Sequence, residues 1–261
     1  MSQWYIGTIG FSYKDWVGEF YPINITQKEY LPFYSKIFNV VEIDTTFHAI
    51  PKPSVVQSWF NITPDGFKFC LKTPRIITHE LGLKASQGLM SEFLESIAPL
   101  KEKTGPILIQ LPPRYTQDNI EDVDLFLSAL PGDYQYAIEF RHLSWYNEDT
   151  VHLLTTHHIC WVTVDYPKLP KQLMQTTDFI YIRWIGINGE YQRHSFERVK
   201  KINELTSWLA LIKSYNNRVT SIYGFFNNDY TGCAAGTCKR FLQLSGTKKN
   251  EQHFPYQEHL F

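Results

Sequence analysis

Apolar and polar positions along the chain fall into a repeating order of short runs. Eight of these runs have the length and β-branched or aromatic character of strands: WYIGTIG at 4–10, VVEIDTTF at 40–47, FKFCLK at 67–72, PILIQL at 106–111, YAIEF at 136–140, CWVTVD at 160–165, FIYIRW at 179–184 and SIYGFF at 221–226. Between them the period lengthens. Leu89, Phe93, Ile97 and Leu100 recur at helical spacing, as do Ile202, Leu205, Leu209 and Ile212. Asp118 and Glu121 ahead of VDLFLSAL have the spacing of a capping box.

Strand and helix therefore alternate from end to end with no low-complexity linker, which predicts one parallel α/β domain over 1–261. Eight units in a chain of 261 residues fit a TIM-type (β/α)8 barrel. The segment YPKLPKQLMQTT between the sixth and seventh strands is too short for a full helix, so the sixth helix is expected to be short or irregular. A doubly wound sheet is the alternative, but no Gly-x-Gly-x-x-Gly turn or Walker-type loop supports it.

In a parallel barrel the C-terminal strand ends form the mouth that carries chemistry. Here the apolar part of each run precedes a polar end: Ser12 after the first strand, Glu42 and Asp44 on the second, Lys72 on the third and Gln110 on the fourth. Glu139 and Arg141 follow on the fifth, Asp165 on the sixth, Arg183 on the seventh, and Asn227, Asn228 and Asp229 after the eighth. Residues two apart on a strand share a side, so Glu42 with Asp44, Glu139 with Arg141, and Thr163 with Asp165 would converge if those sides face inward. An ion-pair network at the barrel top is the plainer reading of the same pattern.

Composition changes this picture little. The formal net charge of −1 gives no global pull toward nucleic acid or anionic membranes, so any anion site must be local. Cys70 and Cys160 lie in apolar runs, and Cys233-x4-Cys238 lacks zinc-site spacing. No run has the length of a membrane span, and QWYIGTIGF enters a strand pattern without a basic leader, so a cytoplasmic location is expected.

Several chemistries fit the mouth residues. Glu42, Glu139 or Asp165 would serve as paired carboxylates in a glycosidase. Arg141 and Lys72 beside these carboxylates weaken a metal reading, although a divalent metal stays open; no other cofactor is expected. Ser12 lacks a nucleophile elbow, and Lys72 is the alternative covalent group. An anion is favoured by Arg183, by Arg193, His194 and Arg198 in the loop after the seventh strand, and by Gly232 before a short helix. Phe11, Tyr13, Trp16, Phe20 and Tyr21 cluster after the first strand as a stacking platform or a barrel cover, and His142 and Trp145 past the fifth strand belong to either class. His48 and His79, also after strands, read as structural hydrogen-bonders.

Read together, GTIGFSYKDWVGEFYP, YLPFYSKIFNVVEIDTTFHAIP, FKFCLKTPRIITH, ILIQLPPRY, YAIEFRHLSW, VTVDYP, YIRWIG and GFFNNDYTGCAAGT resemble, in order, the signatures of the domain-of-unknown-function-72 family, the YecE-like proteins. The resemblance covers about 5–240, leaving 241–261 as a C-terminal extension. It implies a TIM-barrel fold and leaves the reaction unassigned. The family's polar mouth matches Glu42, Lys72, Gln110, Glu139, Arg141, Asp165, Arg183, Asn227 and Asn228. This chain departs from the family at Trp184 and Ile185, where a leucine-histidine pair is typical, and at Asp229, Thr231, Cys233 and Thr237.

The resulting expectation is a hydrolase or lyase acting on a sugar phosphate, phosphodiester or similar anion. Glu139, Asp165, Lys72 and Glu42 would be catalytic, with Arg141, Arg183, Gln110, Asn227, Asn228, Trp145, His142 and Gly232 binding substrate. The alternative is a protein that binds nucleic acid or a metabolite in the same mouth without turnover. Oligomeric state is left open.

Overall fold

A computed structural model describes residues 2–246 of the chain. Eight strands form one parallel sheet: β1 (Gln3–Ile9), β2 (Val40–Ile43), β3 (Lys68–Leu71), β4 (Ile107–Gln110), β5 (Tyr136–Glu139), β6 (Cys160–Asp165), β7 (Phe179–Trp184) and β8 (Ser221–Phe226). Their order, β3-β2-β1-β8-β7-β6-β5-β4, brings the two ends of the sheet together. Single bridges Phe69–Thr104 and Lys72–Leu108 join β3 to β4, with Gly105 N donating to Phe69 O and Thr73 N to Leu108 O, both at 2.8 Å. The barrel is thus nearly closed, as the alternating sequence predicts.

Helices α1 (Tyr30–Ile37), α2 (Pro53–Ile62), α3 (Gln87–Ile97), α4 (Ile120–Ser128) and α5 (Glu148–Thr156) follow the first five strands, while α6 (Ile202–Lys213) and α7 (Ala234–Ser245) follow β7 and β8. The Asp118–Glu121 capping box does not form. Asp118 lies in a 3-10 turn and accepts from Thr116 Oγ1 at 3.0 Å, leaving α4 without a side-chain cap.

No helix lies between β6 and β7 among the described residues. Instead an extended strap covers the outer face of β6. Its Thr176 Oγ1 accepts from Trp161 N at 2.9 Å and donates to Ile159 O at 2.6 Å, and Gln172 O accepts from Thr163 Oγ1 at 3.3 Å. The strap buries Leu173 in the outer core, supplying apolar cover a sixth helix would otherwise give, while Leu169 joins the barrel-interior cluster.

The period of two sorts each strand cleanly. Val40, Cys70, Leu108, Ala137, Val164 and Tyr181 pack in the barrel interior, while Val41, Phe69, Ile138 and Ile182 pack outward under the helices. Gly7 lets β1 approach β2, because a Cβ there would stand 2.1 Å from Val40 O. The predicted C-terminal extension lies, from residue 247 on, outside the described residues.

Candidate functional site

Extending the interior side of each strand toward its C-terminal end gives the floor of the mouth. On β2 the next inward residue after Val40 is Glu42, on β5 the next after Ala137 is Glu139, and on β7 the next after Tyr181 is Arg183. All three are buried, and they form one network. Arg183 donates from Nη2 to Glu42 Oε1 at 2.7 Å, from Nε to Glu42 Oε2 at 2.9 Å, and from Nη1 to Glu139 Oε2. Tyr181 OH adds a 2.7 Å bond to Glu42 Oε2, and Arg141 Nε donates to Glu139 Oε1. Every oxygen of the two carboxylates is therefore engaged.

The electrostatics follow from this pairing. Burial works against ionisation of Glu139, but Arg141, Arg183 and Lys72 outweigh it and hold the carboxyl down at about 2. Burial pushes Glu42 up against the opposing pull of Arg183, and the two carboxylates hold Arg183 firmly protonated despite its burial.

Lys72 continues the inward side of β3 past Cys70. Its ammonium stands 3.8 Å above the centroid of the Phe47 ring. Among the described residues no carboxylate lies within ion-pair distance of it. Burial and the neighbouring Arg183 and Arg141 lower its pKa to about 8, with Glu139 and Glu42 pulling the other way. His79 packs edge-to-face with the same Phe47 ring at a centroid distance of 4.9 Å, and burial together with Lys72, Arg114, Arg75 and Arg141 lowers that imidazole to about 4. The mouth therefore has a cationic side above β3 to β5. Arg141, with 16% of its side chain exposed, and Lys72 form the accessible part of the cluster, and Tyr166 lies 5.3 Å from the Arg141 guanidinium.

The remaining predicted residues are placed differently. Gln110 belongs to the inward side of β4 and donates to Leu111 O at 3.1 Å. Asp165 follows Val164, so its side chain faces outward, not into the barrel. It accepts from Trp208 Nε1 at 2.8 Å and Tyr230 OH at 3.0 Å, and pairs with Lys171 of the strap at 2.7 Å. Asn227 accepts from Asp229 N at 2.9 Å and caps the 3-10 turn Asn228–Tyr230. Asn228 is buried, its Oδ1 taking Trp16 Nε1 at 3.1 Å and Ala234 N at 2.9 Å. Trp145 is fully buried, stacked on Phe140 and bonded to Tyr115 O. His142 accepts from Ser144 N and caps its own turn.

Protein contacts occupy most of the candidate anion-binding groups in the loops after β7 and β8. Gly232 N donates to Asn228 O at 2.8 Å, and a Cβ on this positive-φ glycine would stand 2.7 Å from Arg198 Cγ, so the loop packs directly against it. Arg198 lies over Phe196, Arg193 is exposed, and His194 contacts Asp229. Of the first-strand aromatics, Trp16, Phe20 and Tyr21 are core; Phe11 and Tyr13 are half-buried.

Two participants escaped the sequence reading. Tyr181 lies two positions before Arg183 on the same strand, so the period of two carried its signal. Phe47 sits in a 3-10 turn after β2, and no periodicity marks it.

The description "protein of unknown function DUF72" belongs to the family model that matches residues 5–259. The chain belongs to the DUF72 family. This DUF72 protein is similar to the UPF0759 protein YecE of Escherichia coli (strain K12), 38% identical over 138 residues, or 53% of this chain and 48% of YecE. It thus spans about half the length of the YecE relatives it matches. The UPF0759 protein YunF of Bacillus subtilis (strain 168) is 25% identical, over 92% of this chain and 94% of YunF. Among solved structures, a DUF72 family protein from Thermotoga maritima superposes with a TM-score of 0.80 at 32% identity, over 93% of this chain and 98% of that one. One from Enterococcus faecalis gives 0.77 at 21%, over 95% and 99%. These likenesses establish the TIM-type barrel. The departures noted above fall mostly outside the mouth floor of this DUF72 chain: Trp184 stacks outward on Phe226, and Thr231 and Thr237 bond to each other.

Among the described residues no group of three His, Cys, Asp or Glu side chains is arranged to hold a metal ion, and no helix is long and apolar enough to cross a membrane. Cys70, Cys160, Cys233 and Cys238 are buried and not in disulfides.

Proposed function

We propose that this protein is an enzyme of the hydrolase or lyase type that takes a small polar anion, such as a sugar phosphate or phosphodiester, at the barrel mouth. One observation carries the reading. Among the described residues Arg183 and Arg141 pair with Glu42 and Glu139, while Lys72 has no carboxylate within ion-pair distance, so the cluster holds an excess positive charge, and its accessible members are cations. An anionic group between Arg141 and Lys72 would complete the balance. Glu139, ionised down to about pH 2, acts as a counter-ion that positions both arginines. Lys72, titrating at about 8, is the mouth group suited to proton transfer near neutral pH.

The saturation of both carboxylates gives weight to a second reading, in which the mouth binds a metabolite or a nucleic-acid phosphate without turnover. Purified protein screened against phosphoesters and glycosides separates the two. Turnover abolished by Lys72→Met supports the enzyme. Saturable phosphate binding with no turnover supports the second reading, and absence of binding overturns both.

A further inference from the structure

Lys103 is buried and Lys72 is half-buried at the mouth, and the two are held in opposite ways. Lys103 is buried with its Nζ donating to Phe60 O and Thr63 O, both at 2.7 Å, and to Thr63 Oγ1 at 3.3 Å. Those acceptors give Lys103 a structural task, tying its side-chain end to the last turn of α2 and the residue after it. Lys72 Nζ makes no such hydrogen bond among the described residues. Its Nζ rests over the face of Phe47, at the end of a strand whose backbone is fixed by Lys72 N donating to Ile43 O and by Thr46 Oγ1 donating to Lys72 O.

The groups around it complete a reactive arrangement. Glu42 on β2, Glu139 and Arg141 on β5, Arg183 on β7 and His79 in the segment after β3 all act on Lys72 or feel its charge. Both carboxylates are committed to arginines, so neither takes the ammonium as an ion-pair partner. Arg141 stays partly open to hold an anion beside the amine.

We propose that Lys72 is a nucleophilic amine that forms an imine with a small carbonyl compound bearing a carboxylate or phosphate, the anion being held by Arg141. This deepens the anionic-substrate reading above and rests on it. In the step, the Nζ lone pair attacks the carbonyl carbon, the oxygen takes one proton from solvent and the nitrogen loses one to it, giving a carbinolamine. Its hydroxyl takes a second proton and leaves as water while the nitrogen lone pair forms the C=N bond, and the remaining N–H proton returns to solvent. The lowered basicity supports the chemistry, since at neutral pH Lys72 carries on the order of a hundredfold more neutral amine than a surface lysine.

The test traps the imine by reduction. Native protein is incubated separately with pyruvate, dihydroxyacetone phosphate and uncharged acetone, each with sodium cyanoborohydride, and adducts are located by peptide mass mapping. The expected result is one adduct on Lys72, formed at least about tenfold faster than on any surface lysine, with an anionic compound preferred over acetone and the preference lost in Arg141→Leu. The two anionic arms decide between carboxylate and phosphate. Lys72→Arg and Lys72→Met, checked for native circular dichroism, should lose the adduct. Adducts spread over surface lysines, an adduct surviving in Lys72→Arg, or equal trapping of acetone would overturn the proposal. Phosphate binding that persists without any trapping removes the imine and leaves the anion site standing; loss of phosphate binding removes the anion site itself.

Discussion

Arg183 on β7 grips both oxygens of Glu42 on β2, at 2.7 and 2.9 Å, across the two strands that separate them in the sheet. The same guanidinium reaches Glu139 on β5, so one side chain ties three strands together under the mouth. With these carboxylates saturated, the charged groups of the network left partly exposed are Arg141 and Lys72.

Replacing Arg183 by leucine should strand two buried carboxylates. The expected loss is about 3–5 kcal/mol in unfolding free energy, read from urea or guanidinium denaturation. A change below 1 kcal/mol, on the order of a surface pair, would show that the network does not hold the barrel top.

Stability should fall in acid through Glu139. Its folded pKa, about 2, lies below its ordinary value of 4.5, so its contribution is present above 4.5 and disappears as pH falls toward 2. Glu42, raised by burial, adds the opposite slope, favouring the fold as pH falls through its own titration. Comparing native protein with Glu139→Gln isolates the first effect. The native advantage, about 3 kcal/mol at neutral pH, should shrink steadily below pH 4.5; an advantage independent of pH would contradict it.

Lys103 and Lys72 should respond oppositely to methionine. Lys103→Met leaves carbonyl acceptors without their donor and should cost about 1–3 kcal/mol. Lys72→Met removes an ammonium that makes no such hydrogen bond among the described residues and should be neutral or stabilising in the same denaturation experiment. Equal losses would mean that Lys72 is held as a structural cation.

Asn228→Ala should destabilise the fold by about 1–3 kcal/mol, because Trp16 Nε1 and Ala234 N lose their shared acceptor. Phosphate affinity, measured by calorimetry, should not change. A variant that folds normally but loses phosphate would return Asn228 to the binding site.

The sequence carried the strands, their alternation with helices and the lack of room for a full helix after the sixth strand, because hydrophobic period and chain length bear directly on these; it expected a short or irregular helix there, where the strap has none. It also paired Glu139 with Arg141 by their spacing of two. Spacing alone does not say which side of a strand faces inward, and Asp165 shows the cost: Val162 and Val164 fill the interior, while Asp165 meets Trp208, Tyr230 and the strap. Asn228 was illegible for another reason. Its partner Trp16 lies 212 residues away, and no local pattern encodes such a contact. Trp145, beside the charged end of β5, is a core residue because Phe140 and the Tyr115 carbonyl enclose it.

The most direct test of the anion site is a difference map from crystals of the native protein soaked in phosphate. Tetrahedral density between the Arg141 guanidinium and Lys72 Nζ, absent from Arg141→Leu crystals soaked in parallel, is the predicted result. An empty mouth, or phosphate bound only beside Gly232 at the start of α7, would contradict it.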